Sequence, residues 1–376
     1  MSIITLIVIF LCIVSVTSLA VIPPINSSFL PRKLGNQSKS QSDGQYLLGV
    51  NSDRPSLGHL SSDAGKTWHL LNIAEPGDEL QLKYGGLSGS GQYQILLGAN
   101  AGTDANLIYL SSNFGNDWIQ QHDHSCTQNW AGVDISSSGQ YQTAITQSDV
   151  LCKSSTYGKQ WISLQFGTRA VMKGVSMSSS GQYQTVVLKR TTDQPYPSEG
   201  NLYRSNNHGA MFYSNSNAID DPDLLSVSLS SSGQYQLVGS ETALYLSSDF
   251  GETWVKLRNA PSGGNGWGSI AVSSSAQYQF ALRYGDKQND NIYLSKDFGA
   301  TWTETFPHNP PAMGQFWNQL ALSSSGQSVL VGGFLRSGAP DPIYQSTDFG
   351  ASWTGTASVV ATHWTSVAMS RDPGGS

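Results

Sequence analysis

The chain has 376 residues, only 12% of them charged, and a formal net charge of −6. It holds no Lys/Arg cluster that would neutralise a phosphate backbone, which excludes a nucleic-acid binder of the electrostatic kind. Its 39 Gly, 16 Tyr and 10 Trp, with abundant Ser, favour short strands joined by turns over helices.

Residues 1–20 carry no charge. The apolar run from Ile3 to Val16 fits the core of a secretory signal peptide. Ser18-Leu19-Ala20 then places small residues at a cleavage site. The reading is a signal at 1–20 and a polar tail at 21–40. A retained membrane anchor is the alternative, because the run with its flank approaches the length that spans a bilayer. Asn26 and Asn36 each open an Asn-x-Ser sequon in the tail, so both are candidate glycosylation sites. Cys126 and Cys152 follow Cys12, which leaves with the signal. In a secreted chain they are a candidate disulfide, with two partly buried free thiols as the alternative.

From residue 41 the chain copies itself, and such repetition decides fold before any local pattern does. SSSGQYQ stands at 136–142, 178–184 and 230–236. Near-copies stand at 88–94 and 273–279, and shorter ones at 42–46 and 323–327. Between them runs a second phrase, S-x-D-x-G-x-x-W, as in SSDAGKTW at 61–68, SSDFGETW at 247–254, SKDFGATW at 295–302 and STDFGASW at 346–353. Variants occupy 111–118, 154–161 and 205–212. The spacing of 42 to 52 residues is that of a four-stranded propeller blade. Residues 267–303 illustrate the unit, with strands predicted at 268–272, 277–283, 292–295 and from Trp302. The first unit opens directly on a second strand, whereas the chain ends in HWTSVAMS, a first-strand pattern. The expected fold is therefore all-β: a seven-bladed β-propeller of four-stranded antiparallel blades over 41–376. The C-terminal strand is expected to complete blade one, leaving no open inner edge.

S-x-D-x-G-x-x-W resembles the Asp-box, or BNR, repeat of sialidases, sortilin-type receptors, xyloglucanases and the seven-bladed photosystem assembly factors. The resemblance covers about residues 41–376. It implies a β-propeller with the box at the turn between third and fourth strands, opposite the ligand face. The boxed positions Asp63, Asn113, Thr156, Asn207, Asp249, Asp297 and Asp348 are read as structural, since a side-chain acceptor holds such a turn without needing charge. The chain departs from sialidases in lacking their F/Y-R-I-P arginine motif and in having seven units where they have six blades. It also lacks the second propeller of xyloglucanases and the roughly ten blades and cysteine-rich module of sortilin-type receptors.

Function is expected on the unrepeated loops, because binding sites favour loops on rigid scaffolds. Trp130, Trp267, Trp317 and Trp364 open the first strand in four blades, where Leu82, Met172 and Leu224 stand in the others. They are candidates for stacking on sugar rings, with packing between blades as the structural reading. Arg54, Arg169, Arg190, Arg258, Arg283 and Arg336 map to the same face, where their planar forks suit carboxylates or sulfates. A solvated surface is the alternative. Asp134 stands where other blades carry Gly86, Ser176, Ser228, Ala271, Ala321 and Ala368. It is the one catalytic candidate, expected at the channel mouth beside Cys126 and His124, with a structural role as the alternative. No metal-ligand spacing or cofactor loop is evident, so neither metal nor cofactor is expected. The composite reading is a monomeric, secreted, non-enzymatic propeller that binds a glycan or an extracellular protein, without nucleic acid or stable membrane insertion. A sialidase-related glycoside hydrolase, needing two carboxylates at a set spacing, is the alternative.

Overall fold

The computed structural model describes residues 43–371 other than 54–56, 74–79, 101, 104, 123–125, 127–128, 168–169, 190–200, 216–218, 263, 285–290 and 306–314. The expected signal peptide and tail, with Asn26 and Asn36, lie outside the described residues. The described residues form seven four-stranded antiparallel sheets. Blade one joins Trp364–Met369 to Leu47–Asn51, Gly58–Ser61 and His69–Leu70. Blades two to seven open on Leu80–Leu87, Trp130–Ile135, Val171–Met177, Leu224–Leu229, Trp267–Val272 and Gln315–Leu322. These first strands neighbour one another in a ring and line a central channel. The architecture is the expected seven-bladed β-propeller.

Both repeated phrases are turns at one end of the blade. In blade three, Ser136 Oγ accepts the Tyr141 N–H at 3.0 Å, and Gln142 Nε2 donates to the Gly139 carbonyl at 3.1 Å. The turn between third and fourth strands is tied to it by a backbone bond from Tyr157 to Gln140. In blade five, Asp249 accepts the Thr253 N–H and hydroxyl at 2.9 and 2.6 Å. Trp254 Nε1 donates to the Gly251 carbonyl. Asn113, Thr156 and Asn207 accept the equivalent N–H from Asp117, Gln160 and Met211, each at 3.0 Å. The position thus needs an acceptor and not a charge. Where the acceptor is Asp, the ionised form gains: the Ser352 hydroxyl, foremost, holds Asp348 down at about 2.

The residue between acceptor and Gly is left-handed in all seven turns, with φ between 57° and 64°. That conformation costs a side chain about 1–2 kcal/mol. Aromatic residues recover some of it by stacking on the Tyr of the preceding blade, as in Tyr183–Phe250 at 4.6 Å and Tyr278–Phe349 at 4.6 Å. At the seam between blades seven and one, the corresponding residues are Ser328 and Ala64. Ala64 bears the strain without a ring to stack. Ala64→Gly is expected to raise stability by about 0.5–1 kcal/mol in urea melts, whereas Phe250→Gly lowers it by about 1 kcal/mol.

The seam is held by other means. Leu47 pairs with Met369 and Asn51 with Trp364, so the two ends of the chain share one sheet. At the turn end, Asp43 accepts the N–H groups of Ser324 and Ser325 at 2.6 and 3.1 Å. At the loop end, Asp53 accepts the Thr362 N–H at 2.9 Å, and Ser52 Oγ lies 2.8 Å from His363 Nδ1. Asn318 Nδ2 faces His363 Nε2 at 3.1 Å and also donates to the Trp364 carbonyl. An amide donor facing Nε2 requires that nitrogen to be unprotonated. Burial pushes His363 below its usual 6.5, with Asp53 opposing. A group lowered on folding stabilises above its unfolded value and loses that contribution as pH falls. Stability is therefore expected to drop as pH falls below about 6.5, and His363→Gln should flatten that slope in urea melts taken across pH.

Candidate functional site

The first strands enclose a cavity of ≈ 220 Å³ that spans the channel. Each first strand carries a bulge one residue after its opening Trp, Leu or Met. Bulges re-aim side chains. The bulged residues are Lys83, Ala131, Lys173, Leu225, Gly268, Asn318 and Thr365. They mark the loop end of the channel, and Lys83 Nζ reaches Asn129 Oδ1 at 3.5 Å. At Gly268 a Cβ would fall 2.0 Å from the end of the Tyr284 ring, so any side chain there must displace that ring. At the turn end, backbone bonds link Gly89, Ser137, Ser179, Ser231, Ser274 and Ser324 in succession. Arg371 occupies the same turn position in blade one and lines the cavity.

Asp134 is on the channel wall, but at the turn end of its strand, away from the loop end where Trp130 opens it. One oxygen accepts its neighbour Ile135 N–H at 2.8 Å, and the other accepts Met177 N–H from blade four at 2.7 Å. Ser176 and Ser228 make the same bond to Leu229 and Val272 of their own next blades, each at 3.1 Å. Asp134 therefore does between blades three and four what Ser176 and Ser228 do at the next two junctions. Burial pushes its carboxyl above the usual value, against the two N–H bonds and the field of Arg371.

The four tryptophans take the packing reading and not the sugar-stacking one. All are buried, at 0–2% exposure, in the packing between blades. Trp130 Nε1 donates to the Gly98 carbonyl of blade two, and Trp364 Nε1 to that of Asp341 in blade seven. Their rings are wedges that face neighbouring sheets, because the first strand alternates in and out and its opening residue points between blades. Truncating one would cost about 3–5 kcal/mol.

The described arginines do not converge. Arg54, Arg169 and Arg190, with His124, lie outside the described residues. Arg283 is buried with its guanidinium 5.5 Å from the Trp267 ring. Arg258 is exposed beside Asn259, whose amide bonds the Ala300 carbonyl in the next blade's repeated turn, so it sits at the outer rim. Arg336 is exposed in the unrepeated loop of blade seven. Cys126 and Cys152 form a disulfide, both fully buried, that ties the approach to blade three to its third strand.

Sequence reasoning missed Lys83, Lys173 and Arg371. Aligning the repeats one residue past the Trp position, and at the second turn serine, would have found each as the charged exception in its column.

No family model matches the chain, and no curated protein matches it. Solved structures do. YCF48 bound to D1 peptide is 15% identical with a TM-score of 0.55, over 76% of this chain and 84% of that one. The Niastella koreensis GH74 enzyme is 14% identical with a TM-score of 0.51, over 87% and 68%. TolB from Acinetobacter baumannii is 10% identical with a TM-score of 0.53, over 87% and 67%. At these identities the likeness establishes the propeller fold alone.

The role of Asp134 between blades is directly testable. Asp134→Ser should leave stability within about 1 kcal/mol of wild type, whereas Asp134→Ala should cost about 1–3 kcal/mol by orphaning the Met177 N–H. Denaturant melts of the two variants measure this.

Proposed function

We propose that this chain is a non-enzymatic Asp-box propeller, exported from the cytoplasm, that holds a peptide or protein partner on its loop face. The observation that carries the reading is the contrast between the two ends. The turn end repeats one bonding pattern in blade after blade, while the loop end carries a different residue at nearly every bulge. A single asymmetric partner fits such a rim better than a repeated ligand does. Lys83 and Lys173, on either side of Ala131, favour a partner with acidic groups at the mouth. Asp134, the candidate for hydrolysis, is engaged in joining two blades, and the tryptophans offered for sugar stacking are buried. Both facts weigh against the glycosidase and glycan readings. A structurally similar propeller, YCF48, is bound to a peptide. The buried disulfide supports an oxidising compartment, where such bonds persist.

A peptide array probed with the purified chain, beside a glycan array, tests this. A discrete set of acidic peptides should bind, and Lys83→Glu with Lys173→Glu should weaken them about ten-fold or more. Sugar binding with a blank peptide array would replace the reading with a lectin.

A further inference from the structure

Arg371 breaks the pattern of the turn ring. Where six blades place Gly or Ser, blade one places the longest cationic side chain available. Its Nη2 donates to the Val272 carbonyl at 2.8 Å. Val272 ends the first strand of blade six, so the guanidinium passes blade seven and crosses the turn end of the channel. Arg has five N–H donors in a planar fork and cannot shed its charge under ordinary conditions. One described bond, that to Val272, uses one of them.

The nearby acids among the described residues are occupied. Asp134 and Asp43 act on Arg371 through the field. Neither forms an ion pair with it among the described residues. The Asp134 oxygens hold the Ile135 and Met177 N–H groups, and the Asp43 oxygens hold those of Ser324 and Ser325. Burial lowers the Arg371 value, with the fields of Asp134 and Asp43 opposing. Ser, Gly and apolar residues make up most of the wall, with Asp134 as its carboxylate, around ≈ 220 Å³ of open space.

We propose that the channel is a binding site for a small oxyanion, a carboxylate or phosphate, held by the Arg371 guanidinium. The fork matches either group bidentately. Lys173 at the other end of the cavity adds attraction along the path of entry. Gly and Ser at the other six turn positions make room for the ion. The site shares Lys173 with the partner surface at the loop rim, but the anion is held by Arg371 at the opposite end, so it stands or falls separately.

The test uses the full chain, titrated by calorimetry and thermal shift with sodium phosphate, sodium acetate, and a short peptide with a free or an amidated C-terminus, each against matched sodium chloride. Phosphate or acetate should bind above the chloride control. Arg371→Met should weaken binding about 10- to 100-fold, the size of a lost charged hydrogen bond. Asp134→Ser keeps the bond between blades and removes a facing negative charge, so it should tighten binding. Binding of acetate or phosphate assigns a free small anion. Binding of the free-acid peptide but not its amide assigns a chain terminus. Selenate soaked into crystals of the wild-type protein gives a reading that needs no variant: an anomalous peak is expected within about 4 Å of the guanidinium. No binding beyond chloride, equal affinity in a folded Arg371→Met, or a channel without a selenate peak would overturn the proposal.

Discussion

The pairing of Leu47–Asn51 with Trp364–Met369 is the contact on which the ring depends. Each blade packs only against its neighbours, so a linear row of seven would expose an inner sheet face at both ends. Joining the first and last strands into one sheet converts that row into a closed ring. The chain reinforces this contact at both of its ends. Asp43 replaces a backbone carbonyl in the ring of turn bonds, and the Asp53, His363 and Asn318 network locks the opposite end. This seam lacks the aromatic pair that stacks at the other six junctions, so polar bonds carry what rings carry elsewhere.

Closure also explains the division of labour between the two ends of the channel. The turn end is where adjacent blades touch through backbone and side-chain hydrogen bonds, and it repeats because each junction has the same geometry to satisfy. Asp134, Ser176 and Ser228 add the same bond at three successive junctions, with or without charge, where the other four blades carry Gly or Ala. The loop end meets no such demand. Its bulges turn one residue per blade out of the ladder, and those residues vary from Gly268 to Lys173. Variation is tolerated there because the ladder no longer constrains the side chain.

Much of this was legible in the sequence. Two phrases recurring in phase identify blades, and a leftover first-strand pattern at the C-terminus identifies the closure. The predicted strands at 268–272, 277–283 and 292–295 fall on the observed ones to within two residues. The candidate site was much less legible. Trp130 and Trp364 have the composition of a sugar platform, but their position at the start of a strand points them between sheets. Asp134 looked anomalous in its column, yet its anomaly is only chemical, since it makes the bond its serine counterparts make. Arg371 escaped notice because its copy of the turn phrase breaks off after Ser370, so its column is apparent only once the final strand is aligned with the other first strands.

By itself the sequence determined the fold class, the blade count and the strand that completes the ring. Periodicity and turn chemistry are local, and seven copies average away the ambiguity of one. Only the tertiary structure decided which charged groups share the channel. Arg371 and Val272 are 99 residues apart, and Asp134 meets Met177 of the next blade. Such meetings depend on how far each blade is rotated about the axis and which way each bulge aims a side chain. Those quantities come from the packing of whole sheets against each other, which no single repeat encodes.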